Sequence, residues 1–194
     1  MQARSVEVGK KYNVPILIKN SMNHHEGTLI TKETKKMEKA LVSGVTLNED
    51  EAKVTILKVP DRPGIAAKVF GRIAEGHINI DMIIQNKSTT NYTDISFTVY
   101  KSELKRAVPV IRKAAELVKA RGIQVDDNIA KVSLVGVGMK SYPGVAAAMF
   151  GALAEKKINI EMISTSEIKI SCVIEGSKGK KAVQVIHKEF GLGK

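Results

Sequence analysis

The stretch PGIAAKVFGRIAEGHINIDMI, residues 63 to 83, returns 80 positions later as PGVAAAMFGALAEKKINIEMI, and 13 of the 21 aligned positions are identical. This repetition constrains the fold more than composition does, because each copy must encode the same strand-turn-helix-turn-strand unit. The function sought is then one that uses two such units. With 194 residues, 43% of them hydrophobic, the chain can bury a core for each.

Upstream of the repeat, Arg4 to Tyr12 is expected as a short helix and Val14 to Lys19 as a strand, followed by the loop NSMNHHEGT and a charged helix or linker from Lys32 to Ala40. This piece has too little apolar surface to fold alone and is expected to dock against something. Leu41 to Leu47 is a short strand candidate, the acidic turn NEDE follows, and Ala52 to Val59 is apolar at nearly every position, as expected for a strand covered on one face and packed at an interface on the other. Asp61-Arg62-Pro63-Gly64 then opens a helix, with proline in the first turn and Asp61 placed to cap free amides. Ala66, Val69 or Phe70, Ile73 and His77 keep helical spacing, Gly76 stops the helix, and Ile78 to Gln85 forms the next strand. After the turn NKSTTN, Ile95, Phe97 and Val99 alternate with Ser96, Thr98 and Tyr100, which describes a strand with one wet face. Leu104, Val108, Ile111, Ala115 and Val118 mark an amphipathic helix closed by Gly122, and a last strand starts at Ile123. The order is βαββαβ, a ferredoxin-like layout.

The second unit repeats this order with strand Lys131 to Val137, helix Pro143 to Glu155, strands Ile158 to Ser164 and Ile168 to Ile174, and a final helix near Lys178 to Phe190. The sequence stops before a fourth strand, and Leu41 to Leu47 is the spare strand that would supply it. The expected class is therefore α+β: a domain of residues 52–128 inserted in a second one made of 41–47 plus 129–194, with 32–40 as linker and 1–31 as a separate piece.

Composition narrows the function. No run of about 18 apolar residues exists and the N-terminus lacks the apolar stretch of a secretory signal, so a soluble cytoplasmic protein with no membrane partner is expected. The single cysteine, Cys172, lies by alternation with Ile168, Ile170 and Ile174 and is expected as a buried apolar thiol. His24 and His25 have no acidic or sulfur partners at ligand spacing, so no metal site is expected. The formal charge of +11 invites nucleic acid, but the lysines are spread along the chain, as on a solvated basic surface. There is no phosphate loop, zinc-protease motif or nucleophile elbow. Gly136-Val137-Gly138 lacks a third glycine, where Ser141 stands. Glu75 with Asp81 and Glu155 with Glu161 are more simply surface and strand-end residues than catalytic pairs. No catalytic residue is assigned.

The repeat does offer an anion-receiving helix start. The amides of Gly64, Ile65 and Ala66 lie at a helix N-terminus, where the dipole favours a carboxylate. Asp61 at the strand end, with Asn79, Asp81 and Gln85 on the next strand, supplies oxygens suited to an ammonium or hydroxyl. That set matches a zwitterionic amino acid, although the same residues also describe a tight turn before a well-capped helix.

The residues V-P-D-R-P-G followed by the Ile-Asn-Ile strand resemble an ACT domain, a small-molecule sensing module. AKVTILKVPDRPGIAAKVFGRIAEGHINIDMIIQN and KVSLVGVGMKSYPGVAAAMFGALAEKKINIEMISTSEIKISCVI are similar to the first and second ACT domains of the aspartate kinase family, and residues 1–31 resemble the end of its amino-acid-kinase domain. The resemblance implies a regulatory role, with threonine and/or lysine bound as feedback inhibitors of ATP-dependent phosphorylation of aspartate. It also implies a homodimer through the ACT domains and a partner in a catalytic α subunit or the same enzyme's kinase domain. ATP and magnesium would belong to that kinase domain, and no cofactor is expected in this chain, which is similar either to a separate regulatory β subunit or to an excised regulatory region.

Effectors in this family sit where ACT domains of two chains meet. Carried over, the resemblance implies a first site of Asp61, Gly64, Ile65, Ala66 and Gln85, with Asn159 and Ile160 from a second unit. It implies a second of Ser141, Gly144, Val145, Asn79, Ile80, Asp81, Thr165 and Ser166. The second departs from the first, since Ser141 replaces Asp61 and Thr165 replaces Gln85. An RRM-like RNA-binding module shares the βαββαβ order and is the alternative. Its sheet would need stacking aromatics, whereas the wet-face candidates here are Ser96, Thr98, Lys169 and Ser171 and the chain is only 4% aromatic.

Overall fold

The computed structural model describes residues 3–31, 42–86, 91–136 and 144–193. The expected linker at 32–40, the turn centre at 87–90, and Leu41, Val137, Gly138, Ser141 and Pro143 lie outside the described residues. The chain divides into two units, residues 1–41 and 42–194. In the first, helix α1 (Ala3–Tyr12) precedes an antiparallel pair, β1 (Ile16–Ile18) and β2 (Thr28–Ile30). Tyr12, Val14, Leu17, Met22 and Leu29 stay exposed there, an apolar excess that a small piece without its own core shows.

The second unit holds two four-stranded antiparallel sheets. The first contains β4 (Glu51–Pro60), β5 (Ile83–Gln85), β6 (Tyr92–Tyr100) and β7 (Gly122–Asp126) in the order β5-β6-β4-β7. Helices α2 (Ile65–Glu75) and α3 (Leu104–Leu117) follow β4 and β6. They bury Ile65, Val69, Ile73, Ala107 and Ile111 in one core with Val54, Ile56, Phe97 and Val99 of the sheet. Apolar residues at alternate strand positions and at helical spacing leave one face of each element to bury, and this sandwich buries them together.

The second sheet contains β3 (Val42–Asn48), β8 (Ile129–Gly136), β9 (Ile160–Thr165) and β10 (Lys169–Glu175), with α4 (Val145–Glu155) and α5 (Gly179–Glu189). Its order, β3-β8-β10-β9, is that of the first sheet with β3 in the place of the fourth strand. Val45 faces Leu134 and Leu47 faces Val132 in that pairing, so the strand ahead of the first repeat completes the second. The two modules are interleaved through it.

Three expectations need correction, and one needs detail. Ile78 to Gln85 is not one strand: only Ile83–Gln85 is regular, while the Asp81 N–H donates to the Thr98 carbonyl at 3.2 Å and the Met82 N–H to Thr98 Oγ1 at 3.3 Å. Helix α2 begins at Ile65 rather than Pro63, and its N-cap is Gly64, not Asp61, with no side-chain cap bond. Gly76 ends α2 as its C-cap, as expected, with φ −78°, and the left-handed residue is His77 with φ 52°. Gly76 is small for another reason, since a Cβ there would lie 2.9 Å from Val110 Cγ1 on α3. The wet face is mostly not wet. Thr98 and Ser171 are buried, Ser133 and Ser171 share a hydroxyl bond of 2.8 Å, and Met82, Ile129, Met162 and Val173 cluster between the repeats. The helix-free faces of the two sheets touch, which closes the surface an RNA-stacking module would need.

Cys172 is buried beside Ile170 and Ile174 as expected, and burial pushes its thiol up to about 12. Ile168 is not on that face; it lies before β10, 57% exposed.

Candidate functional site

Both helix starts are built alike. Gly64 has φ 87° and Gly144 φ 101°, a left-handed conformation in which a Cβ is disfavoured. The first bonds within the helices run from the Lys68 N–H to the Gly64 carbonyl at 3.1 Å and from the Ala148 N–H to the Gly144 carbonyl at 2.8 Å. The N–H groups of Ala66, Ala67, Ala146 and Ala147 therefore precede them, at the positive end of each helix dipole. The Ile65 N–H does not join that set, because it donates to the Arg62 carbonyl at 3.4 Å.

A β-bulge aims the first of these starts. Lys58 takes φ 52° where β4 shifts register between Ile56 and Val59, and its N–H donates to Asp94 Oδ1 at 2.8 Å. Beyond the bulge the Asp61 N–H donates to the Asn91 carbonyl at 2.8 Å. Asp61 then lines a cleft of about 420 Å³ with Pro60, Arg62, Asn91, Tyr92, Val118 and Lys119. Gly64, Ile65, Ala66 and Gln85 do not line it. Gln85 is exposed at the end of edge strand β5, with β6 between it and β4.

Of the second set, Asn79, Ile80 and Asp81 come together. They line a cavity of about 200 Å³ with Glu51, Thr98, Val99 and Tyr100. Gly144, Val145, Thr165 and Ser166 are not in it. Ser166 is used in the turn from β9 to β10, where its Oγ accepts from the Lys169 N–H at 3.1 Å, and Thr165 pairs with Ile170. Asn159 is exposed and Ile160 half-buried at the start of β9.

Sequence reasoning missed the ions that hold these edges. Lys131 on β8 bonds both Glu51 and Asp81, with Glu51 buried at the start of β4. Burial works to lower the Lys131 pKa, but the bonds and charges of Asp81 and Glu51 more than offset it and hold the ammonium above the ordinary lysine value. Lys53 on β4 reaches Glu161 on β9, with Asp126 at 3.8 Å. Glu75, in contrast, pairs with Arg72 at 2.6 Å along its own helix. The available signal was the 80-residue offset: Glu51, which opens β4, and Lys131, two residues into β8, are equivalent positions of opposite charge, and NEDE concealed this by resembling a solvated turn.

Comparison with known proteins agrees with this architecture. The family model described as ACT domain matches residues 57–115 and 132–190. The chain is 49% identical over 193 residues to an aspartate kinase of Pseudomonas putida, covering 99% of this chain and 47% of that one. Among solved structures, the regulatory subunit of aspartate kinase from Thermus thermophilus in its ligand-free form superposes with a TM-score of 0.74 at 40% identity, covering 77% of this chain and 99% of that one. A chain from a structure of aspartokinase alpha and beta subunits does so with a TM-score of 0.72 at 42% identity and the same coverage. The chain belongs to the ACT-domain family, among the tandem ACT regulatory regions of aspartate kinases. It spans about half the length of the curated relatives it matches. Among the described residues, no helix is long and apolar enough to cross a membrane.

Proposed function

We infer that this chain is the allosteric, effector-binding part of an aspartate kinase, taking lysine and/or threonine at ACT edges where two copies meet in a homodimer. The carrying observation is the twinned helix start: Gly64 and Gly144 in the left-handed conformation, each followed by amides that precede the first helical bond. Such a start receives an α-carboxylate. Asp61 serves the ammonium at the first site, and the Asn79–Asp81 edge serves it at the second. In this reading Asp61, Gly64, Ala66 and Gln85 meet Asn159 and Ile160 of a second copy, while Gly144, Val145, Thr165, Ser166 and Ser141 meet Asn79, Ile80 and Asp81. Ile65 contributes packing rather than an amide. ATP and magnesium act in the kinase part with which this chain works in the cytoplasm, either a catalytic α subunit or a domain of the same polypeptide.

An effector inhibits by binding one dimer arrangement better than another, so that occupancy biases the attached catalytic part toward its inactive state. Titration calorimetry of the purified chain with lysine and with threonine is the direct test. A saturable heat with at least one of them is expected, and silence with both at all chain concentrations overturns the proposal. Asp61→Ala should weaken binding at the first site by about tenfold or more, the effect of removing a charged hydrogen bond, without unfolding the chain.

A further inference from the structure

The two ion pairs between the repeats have the same form. The acid that follows Ile-Asn-Ile is Asp81 in the first repeat and Glu161 in the second, and each is bonded by a lysine from the first strand of the opposite repeat, Lys131 on β8 and Lys53 on β4. In both copies the backbone is irregular at the acid. Asp81 lies ahead of the regular part of β5, and Glu161 falls at the register shift where Ile160 pairs with Ile174 and Met162 with Val173. An irregularity of this kind re-aims a side chain, here toward the other repeat.

We propose that Lys131 and Lys53 are positioning residues that cross-brace the chain, each fixing from one repeat the Ile-Asn-Ile edge that the other repeat offers to an effector. Asp81 and Glu161 are the struts of these edges. The braces differ in make-up. Lys131 is 10% exposed and also neutralises Glu51, whose side chain is 3% exposed, while Asp81 at the edge is 42% exposed; Lys53 and Glu161 are 19% and 24% exposed. The buried Lys131–Glu51 contact anchors the first brace, and solvent screens its Asp81 end and both ends of the second. Because each edge is tied to the opposite repeat, a ligand that shifts one edge also shifts the first strand of the other module.

The affinity consequence rests on the effector-binding reading above, while the positioning itself is measurable without ligand. Backbone hydrogen exchange of the full chain is compared for the unaltered protein, Lys131→Arg, and the double variant K131M/E51Q, in which Glu51→Gln avoids stranding a buried charge. The Asp81 and Met82 amides are expected to exchange about tenfold faster in the double variant, while Lys131→Arg stays near the unaltered rate. Lys53→Met, at a screened site where folding is not at risk, is expected to speed exchange at Ile160 and Glu161 about threefold. Rates within twofold of the unaltered chain in the folded double variant or in Lys53→Met, or an equal effect of Lys131→Arg and the double variant, overturn the brace. Calorimetry on the same samples separates the two claims. Faster exchange with no heat in any variant leaves the brace standing and removes the effector reading; heat in all with unchanged exchange does the reverse.

Discussion

Edge strand β5 keeps three regular residues, Ile83–Gln85, whereas its counterpart β9 keeps six, Ile160–Thr165, although Ile-Asn-Ile precedes both acids. The difference arises on the neighbouring strand. In the first repeat Thr98 draws the Met82 N–H to its hydroxyl and the Asp81 N–H to its carbonyl, which displaces the ladder. In the second repeat the ladder continues and the displacement shrinks to a bulge at Glu161. The same motif is thus held by different backbone solutions, and what stays constant is the acid directed at a lysine across the interface. A duplicated sequence conserves the edge and leaves its support free to diverge.

The cores diverge as well. Phe97 packs edge-on to Phe70, with ring centroids 5.7 Å apart at 70°, while strand pairing makes Ile170 the counterpart of Phe97. Phe97→Ala should therefore cost about 3–5 kcal/mol, and Ile170→Ala about 2–4 kcal/mol, read by urea denaturation. Because β3 and the contacting sheet faces join the repeats, both variants should still unfold in one transition. Two separated transitions would show that the repeats are independent despite the shared strand.

The helix ends give a smaller and sharper contrast. Gly76 lies against Val110, and its counterpart Lys156 is exposed. Exchanging the residues should be asymmetric: Gly76→Lys loses about 1–3 kcal/mol by overpacking α2 against α3, and Lys156→Gly loses less than about 1 kcal/mol. Equal losses would mean that the helix pairs pack alike.

Cys172 and its counterpart Val99 test whether a thiol matters in this core. Cys172→Val should change stability at pH 7 by less than about 1.5 kcal/mol, as a near-isosteric swap. The folded thiol keeps its proton up to about 12, whereas the unfolded one ionises near 9.0. Stability tied to this proton is complete below pH 9 and is lost as pH rises toward 12, so the unaltered chain should fall away from the valine variant in that window. Parallel curves would place Cys172 in contact with solvent.

Much of this fold was legible in the sequence because repetition and periodicity carry the information. Thirteen shared residues define the module, and of the spare strand expected at 41–47 the described residues Val42 and Gly44 to Leu47 pair with β8. The helix starts were legible as glycine positions, but Pro63 and Asp61 suggested an earlier start, since a left-handed Gly64 leaves no local sign beyond being glycine. The braces were illegible for a physical reason. Lys131, Lys53, Glu51 and Asp81 follow ordinary surface patterning, and only the contact of two helix-free sheet faces buries Lys131 and Glu51 and brings Lys53 and Asp81 to their partners. Thr98 and Ser171 were misjudged for the same reason, because alternation reports which face is polar and not whether that face meets another.

The smallest expected effect addresses the surface that a second copy would use. Gly71 and Gly151 stand inside α2 and α4 at equivalent positions, each exposed, and a Cβ at either would meet nothing within 4 Å. Neither has the close neighbour that explains Gly76, so alanine at each should stabilise the chain by about 0.5–1 kcal/mol through helix propensity alone. Thermal denaturation at low chain concentration measures that gain, and sedimentation measures self-association in the same variants. Equal gains with unchanged association would show that both helix faces are free in the proposed dimer. A gain in folding accompanied by weaker association in only one variant would identify the repeat whose helix lies against the second copy, and so distinguish the modules at the interface where the effector is proposed to bind.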